Sequence, residues 1–248
     1  MNIQFKVFIL GLVGTFALPW FFLLVLPAVQ MSKLKPQPYY ERDEQGKPVL
    51  DEEGNKTVVG YYPPALSGSQ NKGQQVYVEQ GCTQCHSQFI RPTYAGWDSY
   101  KVGWGSAPNE SMKPVHTRFT TPYDYLGEDL ATLGIRRYGG DLSNVGFRYS
   151  RGELHLMLYR PRLRNSESTM PSYRFLYETK RIQGARSEAA LALTGEDAPE
   201  AGYEVVPGDD AEALVDYLLS LRKNYDLPAE IAPKAFETMK KQEAGDGA

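Results

Sequence analysis

An uncharged run of 25 residues, VFILGLVGTFALPWFFLLVLPAVQM from Val7 to Met31, constrains this chain more than any other feature. A backbone inside a bilayer must satisfy its own hydrogen bonds, and a single segment can do so only as a helix. Twenty-five helical residues reach about 37 Å, enough for a hydrocarbon core of about 30 Å with some tilt. The run is longer than the apolar part of an ordinary signal peptide, and no clear small-x-small cleavage pattern follows it, so an uncleaved anchor over residues 1–31 is expected in preference to a cleaved signal. Pro19 lies in mid-span, where a local kink is expected. Lys6 flanks one end and Lys33 and Lys35 the other, so the positive-inside rule does not orient the span.

The chemistry-bearing motif is Cys82-Thr83-Gln84-Cys85-His86. Two thiols at this spacing can add across the vinyl groups of a haem, and the adjacent imidazole is then held under the iron as an axial ligand. A redox Cys-x-x-Cys would sit beside a βαβ pattern, which is absent, and a zinc site would need a second ligand pair that His116 and His155 do not supply. Cys82 and Cys85 are the only cysteines among 248 residues. One covalently attached haem c therefore consumes both, leaving no disulfide framework and no thiolates for a copper centre. Because haem of this type is attached on the outer face of energy-transducing membranes, residues from about Ser32 onward are expected on the periplasmic side of the inner membrane.

Residues 32–70 are rich in proline, glycine and charge and read as an extended linker, with a small hairpin about Glu53-Gly54-Asn55 or an extended arm as the two forms open to it. A haem domain over 71–226 follows, then a polar tail over 227–248. The spacing Gly73-x-x-x-Tyr77 before Cys82 predicts a short helix leading into the attachment turn. Asp209-Asp210-Ala211-Glu212 resembles an acidic capping box ahead of Leu214, Leu218 and Leu221 on one helical face. These two helices are expected to cross, with Gly73 allowing a ring such as Tyr217 to approach its backbone, as the terminal helices of class I cytochromes c do. Ser150-Arg151-Gly152-Glu153 predicts a further helix stopped by Pro161. The fold expected is mainly α, a single transmembrane helix followed by a class I-like cytochrome c domain with loop insertions.

The second axial ligand is to be found among Met112, Met157, Met170, His116 and His155. Met170 is favoured, since it lies in a polar loop and Pro171 keeps its backbone out of the helical region, with Met112 next. Arg91, close behind the attachment turn, is either a partner for a haem propionate or a surface arginine. The basic stretch from Arg136 to Arg186, which includes Arg148, Arg160, Arg162 and Arg164, can meet propionates, an acidic partner or solvent. Residues 187–221 contain no lysine or arginine and read as a solvated acidic loop, with a docking surface as the alternative. A net charge of −3 gives no electrostatic case for nucleic-acid binding.

Several segments together resemble the mono-haem second subunit of cbb3-type cytochrome c oxidases. Gly81-Cys82-Thr83-Gln84-Cys85-His86-Ser87-Gln88-Phe89-Ile90-Arg91-Pro92 is similar to that family's GCxxCHSQxIRP, and Asp141-Leu142-Ser143-Asn144-Val145-Gly146-Phe147-Arg148-Tyr149-Ser150 to its DLxxVGxRYS. Pro161-Arg162 and Ser168-Thr169-Met170-Pro171-Ser172-Tyr173 extend the likeness. The resemblance implies Met170 as the axial sulfur and tips Arg91 toward a propionate. Where the family has TGPDL this chain has Tyr138-Gly139-Gly140-Asp141-Leu142, which implies that the Gly140 carbonyl takes over orienting His86. The acid and RYG sequence usual after IRP are replaced by Thr93-Tyr94-Ala95-Gly96-Trp97-Asp98-Ser99-Tyr100-Lys101. The resemblance further implies a haem-copper catalytic oxidase subunit as electron acceptor, a further cytochrome c subunit or soluble cytochrome as donor, and no substrate-reducing centre on this chain. A free-standing tethered electron carrier, or the cytochrome subunit of a nitric oxide reductase, is the alternative.

Overall fold

The computed structural model describes residues 2–41, 49–101, 103–104, 118–128 and 131–223. The polar tail over 227–248, Met112 and His116 lie outside the described residues. The chain divides into two compact units, Met1–Pro64 with Thr121–Glu128, and Ala65–Thr120 with Asp129–Ala248.

In the first unit α1 (Ile3–Trp20) passes through Pro19, a π-helical turn over Phe21–Val25 follows, and α2 (Leu26–Met31) completes one continuous helical rod. Proline lacks the N–H that would bond four residues back, and widening the next turn re-pairs the backbone locally. The rod is long and apolar enough to cross a membrane, and none of its residues is buried against the rest of the chain. Past it the chain is more ordered than a connector. β1 (Gln37–Tyr40) pairs antiparallel with β2 (Val58–Tyr62), and farther out Leu50 bridges Lys56. The tip is an Asx turn in which the Asp51 carboxylate accepts from the backbone of Glu53 and Asn55 at 3.0 and 2.7 Å, with Gly54 at φ +83°. Of the two forms open to this stretch, the hairpin about Glu53-Gly54-Asn55 is the one present, with its main strands farther apart in sequence than the turn suggested. Tyr62, buried, donates its hydroxyl to the Asp124 carboxylate of the short 3₁₀ turn Pro122–Tyr125.

The second unit is organised by α3 (Gly68–Glu79) crossing α6 (Asp209–Ser220). A capping box between Ser67 and Gln70 starts α3, and Val76 and Tyr77 form its buried face. The α6 cap is Gly208, and the acids Asp209, Asp210 and Glu212 instead occupy the first turn, where they meet the positive end of the helix dipole. The crossing is close at Gly73: a Cβ there would lie 1.9 Å from the Ala213 carbonyl oxygen and 2.7 Å from Tyr217 Cβ. Tyr217 is fully buried, with its ring 5.5 Å from that of Tyr77 and its hydroxyl 3.0 Å from both Gln88 Nε2 and Thr132 Oγ1. Between these helices in sequence come α4 (Val145–Arg148) and α5 (Arg151–Tyr159), the latter opened by the Ser150–Glu153 capping box and ended before Pro161, whose ring disfavours helical backbone at Arg160.

Residues 187–221 are only in part a solvated acidic loop: 187–202 is irregular and largely exposed, but the segment also supplies a strand and core residues. β4 (Tyr203–Pro207) pairs antiparallel with β3 (Tyr177–Arg181), and Leu191, Leu193 and Val205 enter the core. Asp197 is held by both Arg160 and Arg174. The net acidity masked this at the sequence level, because the few apolar residues that fold the segment, Leu191, Leu193 and Val205, are scattered among acids, alanines and glycines.

Candidate functional site

The Cys-x-x-Cys-His motif follows the end of α3. Gly81, at φ +70°, turns the chain out of the helix, and Cys82–Gln84 form one 3₁₀ turn. Residues 133–142 then run alongside 83–88 through four backbone bonds: Gln88 to the Leu133 carbonyl, Ile135 to that of Thr83, Gly139 to that of Cys85 and Leu142 to that of Ser87, all 2.8–3.0 Å. This ladder delivers the Gly140 carbonyl to His86, whose Nδ1–H donates to it at 2.8 Å. With Nδ1 committed, Nε2 keeps its lone pair for a metal, the arrangement that sets tautomer and ring orientation in metal-bound histidines. Gly139 is required by the same geometry, since a Cβ on it would lie 2.2 Å from His86 Cε1.

His86 faces a cavity of about 300 Å³ lined by Cys82, Trp104, Leu142, Arg148, Leu154, Met157, Met170 and Leu214 among others. That volume is within the range of sites that take cofactor-sized ligands, about 300–1,000 Å³, and the lining is predominantly apolar. Cys82 and Cys85 are unbonded to each other, Cys82 buried and Cys85 exposed. Burial pushes the Cys82 thiol up to about 11, with the Tyr173 hydroxyl on its sulfur acting in the opposite direction. A thiol held protonated in an apolar wall is a poor ligand for a metal ion, since only the thiolate coordinates well. The groups present, the His86 imidazole with Nε2 turned away from the Gly140 carbonyl, the thioether sulfurs of Met157 and Met170, the Cys82 thiol in the wall with Cys85 three residues on, and apolar walls, fit a haem.

Cys82, His86, Gly140 and Met170 are therefore gathered at one cavity, with exposed Cys85 three residues along the same turn. Met170 lies in an irregular segment, its backbone N–H donating to Ser168 Oγ at 3.3 Å, and the loop is sewn to α5 where Tyr173 N–H donates to the Leu158 carbonyl at 2.8 Å. Met157 also lines the cavity, from α5. His155 on the same helix is outside the lining; its Nδ1 lies 3.1 Å from the Tyr177 hydroxyl and its Nε2 3.5 Å from Glu212, and burial lowers its proton affinity.

Arg91 is not among the lining residues. Its Nε and Nη2 reach both oxygens of the buried Asp98 carboxylate at 2.8 and 2.9 Å, and Arg137 joins them. Burial opposes the charge of Asp98, but the bonds from Arg91 and Arg137 outweigh it and hold the carboxyl well below its usual range. The reason is compensation: a carboxylate withdrawn from water takes the nearest guanidinium. Asp98 was not singled out in the sequence, although an acid seven residues past Arg91, where the family pattern places one nearer, was the available signal. Asp141 was likewise missed as a hub. Its carboxylate accepts from Ser87 Oγ and the backbone of Phe89 and Ser143, and so fixes the far end of the ladder.

A family model described as "cytochrome C oxidase, mono-heme subunit/FixO" matches residues 55–204, more than half of the chain. No curated protein matches the chain.

Proposed function

The chain belongs to the family of mono-haem subunits of cbb3-type cytochrome c oxidase, and from that premise we propose that it is a membrane-anchored electron relay. Cys82 and Cys85 would hold its one haem covalently, and His86 and Met170 would ligate the iron. When bound, the haem supplies a one-electron couple through which electrons pass to the oxygen-reducing haem-copper subunit. The observation that carries the reading is the His86–Gly140 hydrogen bond at the edge of an apolar cavity that Met170 also lines.

Each residue has a defined task. The thioether-forming pair Cys82 and Cys85 prevents loss of the cofactor, and Gly140 holds the His86 ring so that Nε2 meets the iron. Met170 would supply a thioether ligand to the iron, which relative to a second imidazole raises the reduction potential. Leu142, Leu154 and Leu214 exclude water, which further favours the less charged state of the site. The helix Ile3–Met31 tethers the unit, with the haem domain on the periplasmic side, close to its donor and acceptor. The donor is a further cytochrome c subunit or a soluble cytochrome.

Purification from native membranes in mild detergent tests this directly. The expected preparation carries haem c that survives denaturing electrophoresis on this chain, together with haem b, copper and oxygen uptake. One haem c and no partner would point to a free-standing tethered carrier, and nitric oxide reduction to the cytochrome subunit of that reductase.

A further inference from the structure

The cavity wall contains a cation that the fold has only partly bonded. Arg148 ends α4, and its Nη2 donates to the Asp141 backbone carbonyl at 2.7 Å, while Nε and Nη1 are buried without a hydrogen-bond partner. An unpaired buried donor costs stability, and more when it belongs to a charged group. Other arginines of the basic stretch are engaged elsewhere: Arg137 on Asp98, Arg160 and Arg174 on Asp197, Arg164 on Glu153. Arg148 therefore has two donors to spare, on a residue that faces the cofactor cavity.

Its anchoring is tied to that of His86. Gly140 and Asp141 are consecutive, the carbonyl of the first accepting from the imidazole and the carbonyl of the second from the guanidinium. One dipeptide thus sets both an iron ligand and a cation at the same cavity. The group that would satisfy buried guanidinium donors there is a carboxylate, and the haem reading above, on which this rests, supplies two on the porphyrin edge.

We infer that Arg148 is the positioning residue for a haem propionate, taking the part that the Arg91 motif suggested. Arg91 already has both its Nε and Nη2 spent on the Asp98 carboxylate, whereas Arg148 gains partners by binding an anion. Neutralising the propionate inside the protein also removes negative charge beside the iron and favours the reduced state.

The test is redox titration of the full chain in detergent, with redox-difference infrared spectra on haem carrying ¹³C-labelled propionates. R148Q is expected to retain thioether-linked haem, to have a lower midpoint potential, and to shift the labelled carboxylate bands. R148K keeps the charge but not the planar donor set, so the bands shift while the potential falls less. R181Q, a matched charge loss on exposed β3, is expected to leave the bands unmoved. Labelled bands and potential unchanged in R148Q and R148K would overturn the assignment, and if R148Q does not assemble with haem, R148K alone decides by the same readings. Wild-type protein without thioether-linked haem would instead overturn the site reading itself.

Discussion

His86 can serve iron only if its ring is held in one tautomer, and the residue that does this is 54 positions away. The Gly140 carbonyl has no side-chain signature; a local motif reader finds His86 and the two cysteines, while the partner emerges from family likeness or from the ladder that lays residues 133–142 along 83–88. The second ligand is a harder discrimination, because both Met157 and Met170 line the cavity. Both pack against the same core, but Met157 is held in α5 while Met170 is in a loop before Pro171. Met170→Ala is accordingly expected to abolish the sulfur-to-iron charge-transfer absorption and to open the ferrous protein to carbon monoxide, with covalent haem retained. Met157→Ala should keep the absorption and cost stability by cavity formation, about 2 kcal/mol, read by thermal melting. The reverse pattern would exchange the two roles.

At the scale of elements, the α3–α6 crossing and the Asp98 clamp behave differently under perturbation. The crossing was legible because glycine at position 73 with Leu214, Leu218 and Leu221 in helical register specifies a close contact and an apolar face. Gly73→Ala would drive a methyl into the Ala213 carbonyl, and a destabilisation of about 3 kcal/mol or more is expected in denaturant melts, with loss of helical signal if the crossing cannot widen. The Asp98 clamp was not legible, since carboxylate and guanidinium are joined across a loop of no regular period. Asp98 is held charged by Arg91 and Arg137, so its folded-state pKa lies below the unfolded value of about 3.9. The sign follows: its contribution is complete above that value and is lost as pH falls through the lower folded one. Asp98→Asn should thus cost about 2–3 kcal/mol at about pH 6 and progressively less below about pH 4, in urea melts run across that range.

For the whole molecule, the helical rod Ile3–Met31 exposes its apolar surface entirely, and a chain of this kind requires lipid or partner helices around it. Alkaline carbonate extraction of native membranes should leave the protein in the pellet, and release into the supernatant would contradict an anchor. The long apolar helix, the Cys82–His86 motif and the mainly helical class were legible in the sequence alone, because each depends on residues close together: an uncharged run, two thiols and an imidazole within five positions, and capping boxes at helix starts. The tertiary structure alone decided which guanidinium is spent on Asp98 and which faces the cavity, and that residues 187–221 form a strand and core contacts despite their acidity. Those outcomes turn on desolvation. A buried charge or carbonyl takes whichever partner the fold carries to within hydrogen-bond reach, and that distance is set by the packing of segments far apart in the chain.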